Sequence, residues 1–206
     1  MQSSPTTYRS ISQSTTSEFK DRGSKFIAYT FPVQTLEDIK KELNTLKELH
    51  PKAVHHCYAW RIGIDGNSFR ANDDGEPSGS AGKPILGQID STQITNVLVV
   101  VVRYFGGTLL GVPGLINAYK TVTHDALQQS LIIEKNIEMN FKLQFPYTLM
   151  NEVMRIIKMH HINLIKSELT LFCEYHIGIP IVELEIANTK FEQLHELEIS
   201  KIEITK

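Results

Sequence analysis

ITNVLVVVVRYF, residues 94–105, carries six consecutive aliphatic side chains from Val97 to Val102. Successive side chains of a strand point to opposite faces, so a strand of this composition needs apolar cover on both. Six residues cannot cross a bilayer, which takes about 20 as a helix. The run therefore predicts a strand covered on both faces. GGTLLGVPG follows at residues 106–114, and beyond it Val112, Leu115, Tyr119, Val122 and Leu127 fall on one helical stripe. A buried strand, a glycine-rich turn and an amphipathic helix in this order set the frame for the rest.

Upstream, residues 9–33 read as two strands joined at KDRGSK, where Asp-Arg-Gly signals a turn. Leu36, Ile39, Leu43, Leu46 and Leu49 then recur at three- and four-residue spacing, a helix halted before Pro51. AVHHCYAWRIG, residues 53–63, is a strand with His55, Cys57 and Arg61 on one face and His56, Tyr58 and Trp60 on the other. RANDDGEPSGSAGKPILGQI, residues 70–89, is a long irregular segment that leads into a short helix. Downstream, the pattern restarts at Ile132–Asn136, which divides the chain into domains 1–133 and 134–206. The second reads strand, helix, strand, strand, helix, strand. Its hairpin is expected to turn near residues 174–178, its second helix to include Phe191, Leu194 and Leu197, and KIEIT to form its last strand. A βαββαβ order predicts a ferredoxin-like domain.

Bulk properties narrow the function classes. The chain has 206 residues, 41% hydrophobic and 21% charged, with a net charge of −2. Residues 1–133 hold 13 basic against 12 acidic side chains, and residues 134–206 hold 8 against 11. Neither half has the basic balance of a general nucleic-acid binder, so any such surface is a local patch. The N-terminal residues lack a basic and apolar leader pattern, and two cysteines, Cys57 and Cys173, make neither a disulfide framework nor a zinc pattern. The expectation is a cytoplasmic protein with reduced thiols and no membrane association.

Two irregular segments concentrate the chemistry. GGTLLGVPG aims backbone N–H groups and a helix start at a common point, an arrangement suited to anions. It lacks the Lys-Ser/Thr of a P-loop and the dinucleotide spacing, and Pro113 removes one donor. In the other segment Asp73, Asp74 and Glu76 offer oxygen ligands without the spacing of a calcium loop, so magnesium or calcium is expected to bind weakly or not at all. Asp-Gly and Glu-Pro also make turns, and Ser78 or Ser80 is placed to cap the following helix. His55 and Cys57 share a strand face, but a nucleophilic pair needs a third, orienting group that the sequence does not supply.

GSKFIA, HHCYAW, DDGEPSGSAGKPIL and VVVVRYFGGTLLGVPGLINAY, in this order and spacing, resemble the IMPACT/YigZ family over about residues 18–130, with the trailing module similar to that of its bacterial two-domain branch. The resemblance implies an α+β protein. Its N-terminal domain would be of ribosomal-protein type, a β-sheet with helices on one face, and its C-terminal domain a ferredoxin-like βαββαβ module. The family usually has glycine at the position of Pro113. Its eukaryotic members act as translational regulators that compete for an activator of the starvation-response kinase.

The expected role is thus non-enzymatic and linked to translation, without a cofactor. The expected partner is RNA, the ribosome or a translation-associated protein. Candidate phosphate contacts are Lys25, Lys83 and Arg103 with the backbone of Gly106, Gly107 and Gly111. The candidate recognition loop is Asp73, Asp74, Gly75, Glu76, Ser78 and Ser80. If the two loops converge, a carboxylate of the acidic segment is expected to pair with Arg103 or Lys83 and orient it. Two other readings stand beside this one: an enzyme acting on a small phosphorylated or acidic ligand at the same loops, and an interaction module using the acidic loop.

Overall fold

The computed structural model describes residues 5–169 and 172–202. These divide into two compact units. One is Tyr8–Lys135, and the other holds the residues from Asn136 onward together with those before Tyr8. The chain is mixed α/β, with five α-helices among the described residues.

The first unit is built on β1 (Thr7–Ile11), β2 (Thr15–Asp21), β3 (Ser24–Pro32), β4 (His55–Ile62), β5 (Ser68–Asn72), β6 (Val97–Tyr104) and β7 (Ile132–Asn136). Its helices are α1 (Leu36–Leu49), α2 (Gly82–Thr92) and α3 (Gly111–Gln129). Five strands form an antiparallel sheet in the order β2-β3-β6-β4-β5, which puts the aliphatic run at its centre. Val97, Val99 and Val101 enter one core with Cys57, Ala59, Ile85 and Tyr119, while Leu98, Val100 and Val102 enter another with Trp60, Ile39 and Leu46. All six side chains from Val97 to Val102 are fully buried. Each such burial contributes roughly 1.5–3 kcal/mol, so this strand anchors both layers.

The expectation of helices on one face holds for α2 and α3. α1 covers the opposite face, because a strand apolar on both sides leaves neither to solvent. A capping box starts α1: Thr35 accepts from the Asp38 N–H at 3.1 Å, and Asp38 accepts from the Thr35 N–H at 2.9 Å.

The stretch expected to hold two strands holds three. β2 and β3 pair through a turn at Arg22 and Gly23, both at positive φ as a two-residue hairpin of this hand requires. A side chain at Gly106 would run into the Gly23 backbone, so both positions need glycine for this approach. β1 lies apart and pairs with β7. The expected boundary between domains is therefore itself a strand, and the first unit extends through Lys135.

The second unit contains β8 (Glu138–Phe145), α4 (Met150–Met159), β9 (Asn163–Leu169), β10 (Cys173–Pro180), α5 (Leu184–Glu192) and β11 (Glu198–Lys201). The antiparallel order β11-β8-β10-β9 is the ferredoxin-like arrangement. Its core packs Leu143, Phe145, Ile177 and Ile179 against Val153, Ile157 and Phe191. Two boundaries differ from the sequence expectation. Residues 174–178 lie inside β10, where Gly178 makes room for the Glu138 side chain across the sheet. The strand ends at Pro180, which lacks the N–H to continue a ladder, so the helix begins at Leu184, and Leu194 and Leu197 follow it. The expected last strand is seen as Glu198–Lys201, and residues 203–205 of KIEIT lie outside the described residues.

A chain ending at Lys135 is predicted to fold by itself and give a well-dispersed amide NMR spectrum. Ending it at Leu131 removes β7, leaves β1 unpaired, and should lower the melting temperature by several degrees at least, about 1 kcal/mol or more for a domain of this size. A collapsed spectrum from the longer fragment would overturn the division.

Candidate functional site

The acidic segment is folded on its own carboxylates. Asp73 accepts hydrogen bonds from the backbone N–H groups of Gly79 (2.9 Å), Ala81 (3.0 Å) and Gly82 (2.8 Å), the last two at the start of α2. Free N–H groups at a helix start attract an anion, and Asp73 supplies it from outside the helix. The serines expected to cap α2 do not: the buried Ser80 hydroxyl donates to the Pro77 carbonyl at 2.6 Å, and Ser78 is exposed. Burial opposes ionisation of Asp73, but the three amide donors outweigh it and hold the carboxyl below the usual aspartate range, with Lys83 helping.

Asp74 sits at φ +41°, a left-handed conformation that a short polar residue tolerates when bonded locally. Its N–H donates to Asn72 Oδ1 at 2.8 Å, and its carboxylate accepts the His56 N–H at 2.6 Å. β5 begins to pair with β4 only at Tyr58, so Asp74 satisfies a strand amide that lies beyond its neighbour's reach. His55 Nδ1 lies 2.7 Å from the Asp74 carbonyl. A carbonyl only accepts, so the proton sits on Nδ1, and in the neutral ring Nε2 is left as a lone pair.

Glu76 turns inward, with 3% of its side chain exposed. One oxygen, Oε1, accepts from Arg103 Nη1 at 2.6 Å and from the Tyr119 hydroxyl at 2.8 Å. The other, Oε2, faces His55 Nε2 at 3.9 Å. Arg103 is itself 7% exposed, and its guanidinium lies 5.4 Å from the Phe26 ring centre and 5.7 Å from that of Phe105. Cys57 lies beneath, its sulfur 2.9 Å from the Asp73 carbonyl and 3.3 Å from the Tyr119 hydroxyl. Burial pushes both the Cys57 thiol and the Tyr119 phenol well up, so Cys57 is held as a thiol and not as a nucleophilic thiolate.

Above this network opens a cavity of about 350 Å³. His55, Glu76 and Arg103 supply its polar lining, and Val54, Pro77, Phe105, Leu109, Val112 and Leu115 supply apolar walls. The two irregular segments thus converge, and the carboxylate that pairs with a basic residue is Glu76 with Arg103. Gly111 lines the cavity at the start of α3, and Pro113 occupies the first turn of that helix, where its missing N–H has no partner to lose. The exposed Gly106 and Gly107 precede it. Lys25 and Lys83 lie outside the lining: Lys25 pairs with Glu18 at 2.6 Å, and Lys83 is exposed on the first turn of α2. Gly75 and Ser78 are exposed on the loop.

Sequence reasoning placed Tyr119 only in a helical stripe and did not single out Val54, Leu109 or Leu115 for the site. A tyrosine in a buried stripe does carry a signal, because its hydroxyl must find a partner.

A sheet with helices on both faces and a cleft lined by its acidic loop, followed in the chain by a ferredoxin-like unit, defines a mixed α/β protein of two units. Residues 22–127 match the Impact N-terminal domain. An IMPACT family member from Haemophilus influenzae is 32% identical over 175 residues, covering 82% of this chain and 84% of the relative. IMPACT family member YigZ from Escherichia coli is 32% identical over 163 residues, covering 78% and 80%. A crystal structure described as a hypothetical protein is 28% identical with a TM-score of 0.76, covering 98% of this chain and 100% of that one. The chain belongs to the IMPACT family.

Breaking the buried pair should be costly. Glu76→Leu leaves a buried guanidinium without its counter-charge and is predicted to destabilise the first unit by about 3–5 kcal/mol. Adding Arg103→Met should recover most of that loss in urea denaturation. Asp73→Ala should cost about 1–2 kcal/mol at neutral pH. Because the Asp73 carboxyl is depressed in the folded state, its contribution is present above about pH 4 and fades as pH falls through the folded value. Wild type and Asp73→Ala should therefore converge in stability under acid.

Proposed function

We propose that this protein is a non-enzymatic, translation-linked binding protein whose cleft docks a protein of the translation apparatus. Membership of the IMPACT family supports the link to translation, since the resemblance implies that its eukaryotic members regulate that process. One observation carries the choice of partner class: the cleft is open and apolar at its rim. Leu109 is 82% exposed, Val54 56%, Phe105 47% and Val112 46%. Neighbouring exposed apolar side chains around a concavity favour a protein partner. Arg103, the permanently charged basic residue of the lining, is already neutralised by Glu76. A phosphate backbone needs several free cations, and this cleft does not offer them.

The test is retention by the immobilised full chain from a translating extract, with and without nuclease, over a salt series. The expected result is a translation-associated protein that stays bound after nuclease and at high salt, and is lost with Leu109→Arg. Adding the wild-type protein should change the yield of protein synthesis, and adding Leu109→Arg should not. Retention that vanishes with nuclease, with a salt slope that Lys83→Ala flattens by about one unit, would replace this reading with RNA binding.

A further inference from the structure

The polar floor of the cleft has a specific donor and acceptor pattern. Glu76 Oε2 has no hydrogen bond to any described residue, although the side chain is 97% buried by its 3% exposure. His55 Nε2 sits 3.9 Å away, and in the neutral ring the bond from Nδ1 to the Asp74 carbonyl leaves Nε2 with a lone pair. These are two acceptors with no proton between them, close enough to share one NH₂ group. Beside them, Arg103 commits only Nη1 to Glu76, and Nε is buried without a partner. The guanidinium therefore carries donor capacity that no described residue takes up.

Two acceptors and a donor on a floor whose Arg–Glu pair is neutral are complementary to a neutral group with two N–H bonds and a carbonyl. A carboxylate would set its oxygens against Glu76 Oε2 and the His55 lone pair. An ammonium would bring a second cation beside Arg103. Apolar walls in a cavity of about 350 Å³, near the small end of ligand sites, suit an aliphatic stem.

We infer that the cleft seats a primary carboxamide on an aliphatic stem, the side chain of a glutamine or asparagine in an apolar stretch of the docked protein. This rests on the docking reading above and specifies what the partner inserts. The carboxamide NH₂ bridges Glu76 Oε2 and His55 Nε2, and its oxygen accepts from the Arg103 guanidinium. Tyr119 is a positioning residue that holds Glu76 Oε1 and thereby aims Oε2.

The experiment titrates the isotope-labelled full chain with pentanamide, pentanoate and pentylamine, which share a stem and differ in head group. Pentanamide is expected to bind in the millimolar range, with shifts at Glu76, Arg103 and the His55 ring. The other two should bind at least about tenfold more weakly, reflecting the lost hydrogen bonds to charged groups. His55→Phe keeps a ring but removes the Nε2 acceptor, and should abolish the preference for the amide. Leu109→Ala, at an exposed wall position, should weaken all probes alike. Equal binding of pentanamide and pentanoate, shifts confined to residues outside the cleft, or no binding of pentanamide would overturn the carboxamide subsite. Those outcomes leave the effect of Leu109→Arg on protein retention untouched, so failure of the subsite and failure of the docking reading are told apart.

Discussion

The pairing of Glu76 with Arg103 ties an irregular acidic loop to the central strand of the first unit. Two charges removed from water are costly unless they meet each other with good geometry and further hydrogen bonds. Here the 2.6 Å contact is reinforced by the Tyr119 hydroxyl from α3, so three elements meet on one carboxylate oxygen. That convergence fixes where the loop stops, where the guanidinium points and which oxygen of Glu76 faces the cavity. A hydrophobic replacement would pack as well. It would not leave hydrogen-bonding groups lining the cleft.

The rest of the loop is organised by the same economy of unsatisfied amides. Asp73 takes up three N–H groups around the start of α2, and Asp74 takes up the amide of His56 that has no partner in β5. The segment is long because it bridges a sheet edge and a helix start, and its acidity is spent on backbone donors and one arginine. Little of that charge is left to face solvent as a docking surface for a basic partner. Asp74, exposed and bonded to a strand amide, is the partial exception.

Much of the architecture was legible in the chain. The run from Val97 to Val102 required a strand covered on both faces, and the spacing of Ile39, Leu43 and Leu46 announced a helix able to provide one cover. The family motifs marked the loops that line the cleft. Less legible were the boundaries where one residue type serves two structures. Gly178 reads as a turn until the Glu138 side chain is seen across from it, and Pro180 separates a strand from a helix inside a stretch with continuous apolar character. Ser80 looks like a helix cap, but a carboxylate seven residues earlier offers three amides a stronger acceptor.

Sequence by itself determined periodicity, and with it the strand covered on both faces, the helices and the expectation that a carboxylate of the acidic loop pairs with Arg103 or Lys83. These follow from local pattern and from the rule that buried charge is compensated. Only the tertiary structure decided which carboxylate turned inward, that His55 and Tyr119 joined it, and that the cleft is apolar at its rim. Those depend on contacts between residues as far apart as Cys57 and Tyr119, whose distance in space no spacing along the chain encodes.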